Sequence, residues 1–169
     1  LTADGGVAMK LRVKSMVQAV VFLGLIAVAL PYLASRWFDP AAIGLAWRVA
    51  GALVGAAGLA LSLWCIVLFV RVGEGTQSPR QPPKNLVTEG PYAAVRNPML
   101  VGVTLLLVGE AAAFASLGIA VYALAFLAVT NVLMLTVEEP SLRRRFGAEY
   151  EAYRRQVPRW VPRLIRRPA

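Results

Sequence analysis

Between Asn97 and Val137 the chain carries one charged side chain, Glu110, in 41 residues. At 1.5 Å per residue, one helix of that length would be about twice the ~30 Å of a bilayer's hydrocarbon. The run is therefore expected to double back as two helices, near 97–114 and 118–137, turning at Ala115-Ser116-Leu117-Gly118. Ser15 to Ser35 and Val49 to Val70 hold no charge and are each long enough to span. The expected fold is an all-α integral membrane protein forming a single membrane domain. About four transmembrane helices lie near 13–34, 48–71, 97–114 and 118–137. Composition agrees: 58% of residues are hydrophobic and 16% charged, with mean hydropathy +0.62. A soluble domain carries about a quarter charged residues, and one small core cannot hide this much apolar surface. The same arithmetic excludes disorder.

The chain contains no His and one Cys, Cys65, inside an apolar run. That removes His-ligated metals, imidazole-based hydrolysis and an intramolecular disulfide framework, and no metal site is expected. Lys10, Arg12 and Lys14 precede the first apolar run as in a secretory signal. The run is too long for such a signal and no small-x-small cleavage site follows, so it is read as a retained helix. Gly51-x-x-x-Gly55 has the spacing of a close helix contact, but in an Ala/Gly-rich helix it is read as a chance match.

Basic residues alternate along the chain. The N-terminal flank is rich, the connection after the first span holds Arg36 and Arg48, and the next holds Arg71, Arg80, Lys84 and Arg96. The third connection holds none, and from Pro140 onward there are nine Arg against Glu149 and Glu151. The positive-inside bias then places both termini and the 73–96 loop in the cytoplasm. Because these Arg residues adjoin a membrane helix, anionic lipid headgroups rather than nucleic acid are their expected partners. After Pro140, Leu142, Phe146, Tyr150, Tyr153 and Val157 fall at helical spacing with charges around them. This predicts an amphipathic helix along the interface, within a tail covering 140–169.

Three clusters collect on the same side. Gly73-Glu74-Gly75-Thr76-Gln77 follows the second helix, and read alone is a cap and turn or a close backbone approach to a ligand. Glu89-Gly90-Pro91-Tyr92 through Arg96-Asn97-Pro98-Met99 leads into the third helix, as a membrane entry or a binding loop. Glu138-Glu139 closes the fourth. Two acids at a helix C-terminus oppose the macrodipole, which calls for a cationic partner or ligand unless the end is simply solvated. Inside the membrane, Glu110 and Asn131 need partners. Both are expected toward the outer half, with Glu110 in an interhelical hydrogen bond.

Taken together, these clusters resemble the isoprenylcysteine carboxyl methyltransferase and phospholipid methyltransferase superfamily of integral membrane enzymes. The similarity runs over Gly73-Glu74-Gly75-Thr76, Leu86 to Tyr92, Val95 to Met99 and Glu138-Glu139. It continues through Leu142, Phe146-Gly147, Glu149-Tyr150, Tyr153 and Val157-Pro158-Arg159, so that it covers 73–162. The resemblance implies an S-adenosylmethionine-dependent methyltransferase with a cytoplasmic cofactor pocket and a lipophilic or lipid acceptor entering from the bilayer. The cofactor contacts it implies fall on Gln77, Lys84, Asn85, Leu86, Val87, Tyr92, Asn97, Pro98, Met99, Leu100 and Glu138, with Gly73 and Gly75 lining the pocket. Chemically, Glu138 or Glu139 suits the cofactor's ammonium or hydroxyls, and Arg96 or Lys84 its carboxylate. Glu139 and Arg96 are the expected catalytic side chains, and Glu139 or a water is expected to accept the proton of an amine nucleophile.

The chain departs from the carboxyl methyltransferases in two places. Asn97-Pro98-Met99-Leu100 stands where they have His-Pro-x-Tyr, and Met134 stands where they place a substrate Arg. A buried carboxylate acceptor would need that cation; an amine, thiol or hydroxyl would not. The competing function is a non-catalytic lipid-binding or transporter-like bundle, which leaves the gathering of all three clusters on one side unexplained.

Overall fold

The computed structural model describes residues 17–18, 20–36, 43–73 and 84–162. Its regular structure is helical throughout. Helix α1 is Val20–Ser35, α2 is Leu45–Arg71, α3 is Pro98–Phe114 and α4 is Leu117–Leu133. A π turn at Met134–Glu138 carries α4 directly into α5, Glu139–Gln156. Two of these elements, Leu45–Arg71 and the continuous Leu117–Gln156, are long and apolar enough to cross a membrane; α1 and α3 are shorter apolar helices. Phe22, Leu53, Trp64, Leu124 and Val129 are exposed, an outer surface suited to hydrocarbon rather than water. The expected starting flank, Lys10 to Lys14, lies outside the described residues.

The α3–α4 turn forms where the sequence places it. Ala115 is left-handed at φ 49°, and Ser116 caps α4 by accepting a bond from the Ile119 amide at 3.3 Å.

Proline shapes two other places. The π turn Leu25–Ala29 ends two residues before Pro31, and the π turn Met134–Glu138 ends two residues before Pro140. In the first, the Leu30 amide donates to the Leu25 carbonyl, five residues back. The next bond in that register would come from residue 31 to Ile26, but proline has no N–H. The Tyr122 hydroxyl on α4 donates to the Ile26 carbonyl instead, at 3.1 Å. A carbonyl orphaned inside the bundle is thus satisfied by a neighbouring helix. The second π turn corrects an expectation: no helix ends at Glu138-Glu139. The wider turn absorbs Pro140 without a break, so the macrodipole argument for that acidic pair does not apply.

Helices α2 and α3 pack through small residues, and Gly51-x-x-x-Gly55 proves to be part of a real seam. A Cβ at Gly51 would fall 2.5 Å from the Ala113 amide nitrogen, and one at Gly58 would fall 2.5 Å from the Gly102 carbonyl oxygen. Backbones this close require glycine. Ser62, fully buried beside Gly102, donates to the Gly58 carbonyl at 2.9 Å. Leu23, Ala27, Ile66, Val103, Leu106, Leu107 and Ala123 join α1 to α4 in one core.

The interfacial helix is less regular than its apolar stripe predicts. Gly147 takes φ 49° and ψ −120°, which breaks α5 in two. Leu142 and Phe146 lie before the break; Tyr150 and Val157, both buried, lie after it. The stripe therefore divides between two helical pieces.

Candidate active site

The site-forming residues sit at the end of the bundle opposite the α3–α4 turn. The strand of chain entering α3 is strapped back onto α2. The Lys84 amide donates to the Gly73 carbonyl at 2.7 Å, and Asn85 Nδ2 donates to the Val72 carbonyl at 3.2 Å. Val87 and Tyr92 are buried with Cys65 against Leu68, Phe69 and Val72. Tyr92 meets Phe69 edge-on, with ring centroids 5.4 Å apart, and packs beside Cys65. Gly90, at φ 59°, permits this approach, because its missing Cβ would lie 3.0 Å from Leu68 Cδ1. The 3₁₀ turn Gly90–Ala93 then delivers Arg96 and Asn97 to the start of α3.

Glu139 is 5% exposed, and one oxygen, Oε1, takes bonds from two guanidinium groups. Arg96 Nη1 lies 3.0 Å away, and Arg159 donates from Nε at 2.9 Å with its Nη2 in ion-pair contact at 2.8 Å. Tyr150 is almost fully buried beside Arg96 and Glu139. Burial and then the Glu139 charge raise its phenol above the usual range. The Arg96 amide donates to the Pro158 carbonyl at 2.8 Å, and the Tyr153 hydroxyl to the Tyr92 carbonyl at 2.7 Å. Burial raises the Tyr153 phenol as well, so it is a proton donor at any physiological pH.

The acidic pair splits. Glu139 points into this ion cluster, while its neighbour Glu138 is exposed. Desolvation of the Glu138 carboxyl raises its pKa, with the Arg145 charge opposing. More than a third of the residue is open to solvent, so screening tempers the shift.

At the mouth of α3, Pro98 has no amide hydrogen and is fully buried, and the Asn97 side chain does not cap the helix. Asn97 Nδ2 is buried without a hydrogen-bond partner, as is Arg96 Nε one residue earlier. Thr104 Oγ1, two turns along α3, and Asn131 Oδ1 on α4 are likewise unpartnered. Orphaned buried donors at one helix mouth are an unusual cost and suit a ligand rich in acceptors.

Of the residues expected to hold a cofactor, Gly73, Val87, Tyr92 and Pro98 are buried, Leu86, Asn97, Met99 and Leu100 half-buried, and Lys84, Asn85 and Glu138 exposed. Gly75 and Gln77 lie outside the described residues. Met134 is half-buried at the start of the second π turn. Arg96 and Glu139, expected to face the reaction, are brought together, but their side chains are bound to each other. Arg159 and Tyr153 were not singled out as site residues; the Val157-Pro158-Arg159 segment was the available signal, and the bonds it makes are tertiary.

One of the two polar residues inside the bundle is placed differently from expectation. Asn131 lies 15 residues past Ser116 and eight before Glu139, about 22 Å and 12 Å along a helix. It therefore belongs to the site half rather than the turn half. Glu110 does lie near the turn, in the last two turns of α3.

A family model described as phospholipid methyltransferase matches residues 47–149, from the start of α2 past the acidic pair into α5. No curated protein and no solved structure matches the chain.

Proposed function

Since this chain belongs to the phospholipid methyltransferase family, and is accordingly a methyltransferase acting on lipid, we propose that it uses S-adenosylmethionine to methylate a lipophilic acceptor at the Asn97 mouth of α3. The four apolar helices span the membrane in this proposal. The 73–96 loop, the α5 segment and both termini face the cytoplasm, and the acceptor enters from the bilayer.

The observation that carries the reading is the unpartnered Asn97 Nδ2 at the uncapped start of α3. It lies within the matched region and between the strapped loop and the acidic pair. These residues fit the cofactor's functional groups. Asn97 and the first-turn amides of α3 offer donors to a carboxylate or ribose oxygen, and Lys84 and Asn85 add polar groups from the loop. The exposed Glu138 carboxylate suits the ammonium. Leu86, Val87, Met99 and Leu100 supply apolar surface, and Gly73 closes the site from the α2 side.

S-adenosylmethionine supplies an electrophilic methyl group on a sulfonium. What the chain contributes is position and exclusion of water, the main means of accelerating an in-line displacement. Glu139, expected from sequence to accept a proton, already binds two guanidinium groups. We therefore assign it and Arg96 to holding the site's shape, and an amine's proton leaves to water. Met134 near the site offers no cation to a carboxylate acceptor, and the proposed acceptor is accordingly an amine-bearing or uncharged lipid.

Calorimetric titration with S-adenosylmethionine in detergent tests the cofactor. Mass spectrometry for +14 Da products from lipid extracts tests the reaction. Lipid binding without cofactor binding or product would favour the non-catalytic bundle.

A further inference from the structure

Residues 150–159 lie beyond the region matched by the family model, yet they make two direct bonds to the stretch entering α3 and reach it a third time through Glu139. Tyr153 donates its hydroxyl to the Tyr92 carbonyl, Pro158 accepts from the Arg96 amide, and Arg159 shares Glu139 Oε1 with the Arg96 side chain. The bonds fall on both ends of the 92–96 stretch and use main chain and side chain alike. Asn97, the next residue, holds the unpartnered buried amide. The break at Gly147 is what turns the second half of α5 toward this stretch; a helix of uniform geometry through 147 would take a different course.

We propose that this C-terminal segment is a clasp, and that Tyr153 and Arg159 are positioning residues for the cofactor end of the site. The proposal rests on the cofactor reading above. Tyr153 holds the Tyr92 end directly, the Pro158 carbonyl takes the Arg96 amide, and Arg159 steadies the Arg96 side chain through the Glu139 carboxylate they share; together they fix the direction of Asn97 and the first turn of α3. Neither side chain is assigned contact with cofactor or acceptor. Cutting either bond leaves the α1–α4 core intact, because that core is built from Leu23, Ile66, Val103, Leu107 and their neighbours. It frees the loop to sample conformations in which the binding donors diverge, so cofactor binding weakens while acceptor binding does not.

The experiment uses the full chain in nanodiscs, with Tyr153→Phe, Arg159→Ala and the conservative Arg159→Lys. Amide hydrogen exchange is measured first without cofactor. Residues 92–101 should exchange at least fivefold faster in Tyr153→Phe and Arg159→Ala, with α2 unchanged and Arg159→Lys in between. Steady-state methylation should then show KM for S-adenosylmethionine rising about five- to twentyfold and KM for the lipid changing less than twofold. A merely structural lesion would instead shrink the active fraction, lowering apparent kcat at constant KM. Unchanged exchange at 92–101, or faster exchange with an unchanged cofactor KM, overturns the clasp. If the wild-type chain fails to bind S-adenosylmethionine by calorimetry, the cofactor reading falls, and the positioning role falls with it. Unchanged exchange in a wild-type chain that does bind rejects the clasp alone.

Discussion

Arg96 and Glu139 stand 43 residues apart in the chain, and Nη1 of one lies 3.0 Å from Oε1 of the other. The pair joins the entrance of α3 to the first residue of α5. With Arg159 as third member, the cluster holds two cations and one anion in a largely buried place. Removing one member of such a set leaves uncompensated charge.

Glu139→Gln should therefore lower stability by about 1.5–3 kcal/mol, the scale of hydrogen bonds to a charged group. Thermal unfolding in detergent measures it. A variant melting within a degree of the wild type would show that the cluster holds nothing together.

The α2–α3 seam discriminates between glycines only a turn or two apart. At Gly58 a Cβ would meet the Gly102 carbonyl at 2.5 Å, whereas at Gly55 its nearest neighbour is 3.6 Å away. Gly58→Ala should cost about 1–3 kcal/mol through overpacking, and Gly55→Ala much less. Equal stabilities for the two variants would contradict the packing described.

Glu138 separates binding from stability. Its raised pKa means that it is protonated at higher pH than an ordinary Glu. Cofactor affinity should fall as pH drops through that value, because only the carboxylate holds an ammonium. Glu138→Gln should weaken binding by about 1.5–3 kcal/mol at neutral pH and abolish this pH dependence. For folding without cofactor the sign reverses. A raised pKa favours the folded state at low pH and disfavours it as pH rises, so the variant should be no less stable at neutral pH. Calorimetry at several pH values decides it; the same slope in both proteins would remove Glu138 from the site.

The acceptor should reveal itself through pH too. An amine must shed a proton to attack, so methylation of a phosphatidylethanolamine-type lipid should be faster at pH 8.5 than at pH 6.5. Farnesylcysteine analogues, whose carboxylate would face Met134 without a cation, should be poor substrates. Efficient, pH-independent methylation of the carboxylate would reject this assignment.

Topology has its own check. Single Cys residues replacing Thr76 or Arg163, in a Cys65→Ala background, should resist an impermeant thiol reagent in intact cells. Labelling of either from outside would overturn the four-span arrangement.

The sequence by itself determined the helical apolar character, the turn at Ala115-Ser116 and the meeting of the stretch entering α3 with the acidic pair at one end. Those follow from hydropathy, chain length and local turn chemistry, which act over a few residues. Asn97 was legible as a candidate site residue through its motif, but that its amide is buried and unpartnered among the described residues was not. Only the tertiary structure decided the course of the acidic pair. A π turn two residues before Pro140 keeps the helix running, turning Glu139 inward and leaving Glu138 outside, and no local pattern distinguishes that from a helix end. It likewise decided that Gly51 and Gly58 are contact points, that Tyr122 completes the carbonyl Pro31 leaves open, and that Arg159 shares Glu139 with Arg96. Each depends on which distant segment arrives at the same place, and the geometry of an approach between helices is set by all the side chains packed along it rather than by the residues that finally touch.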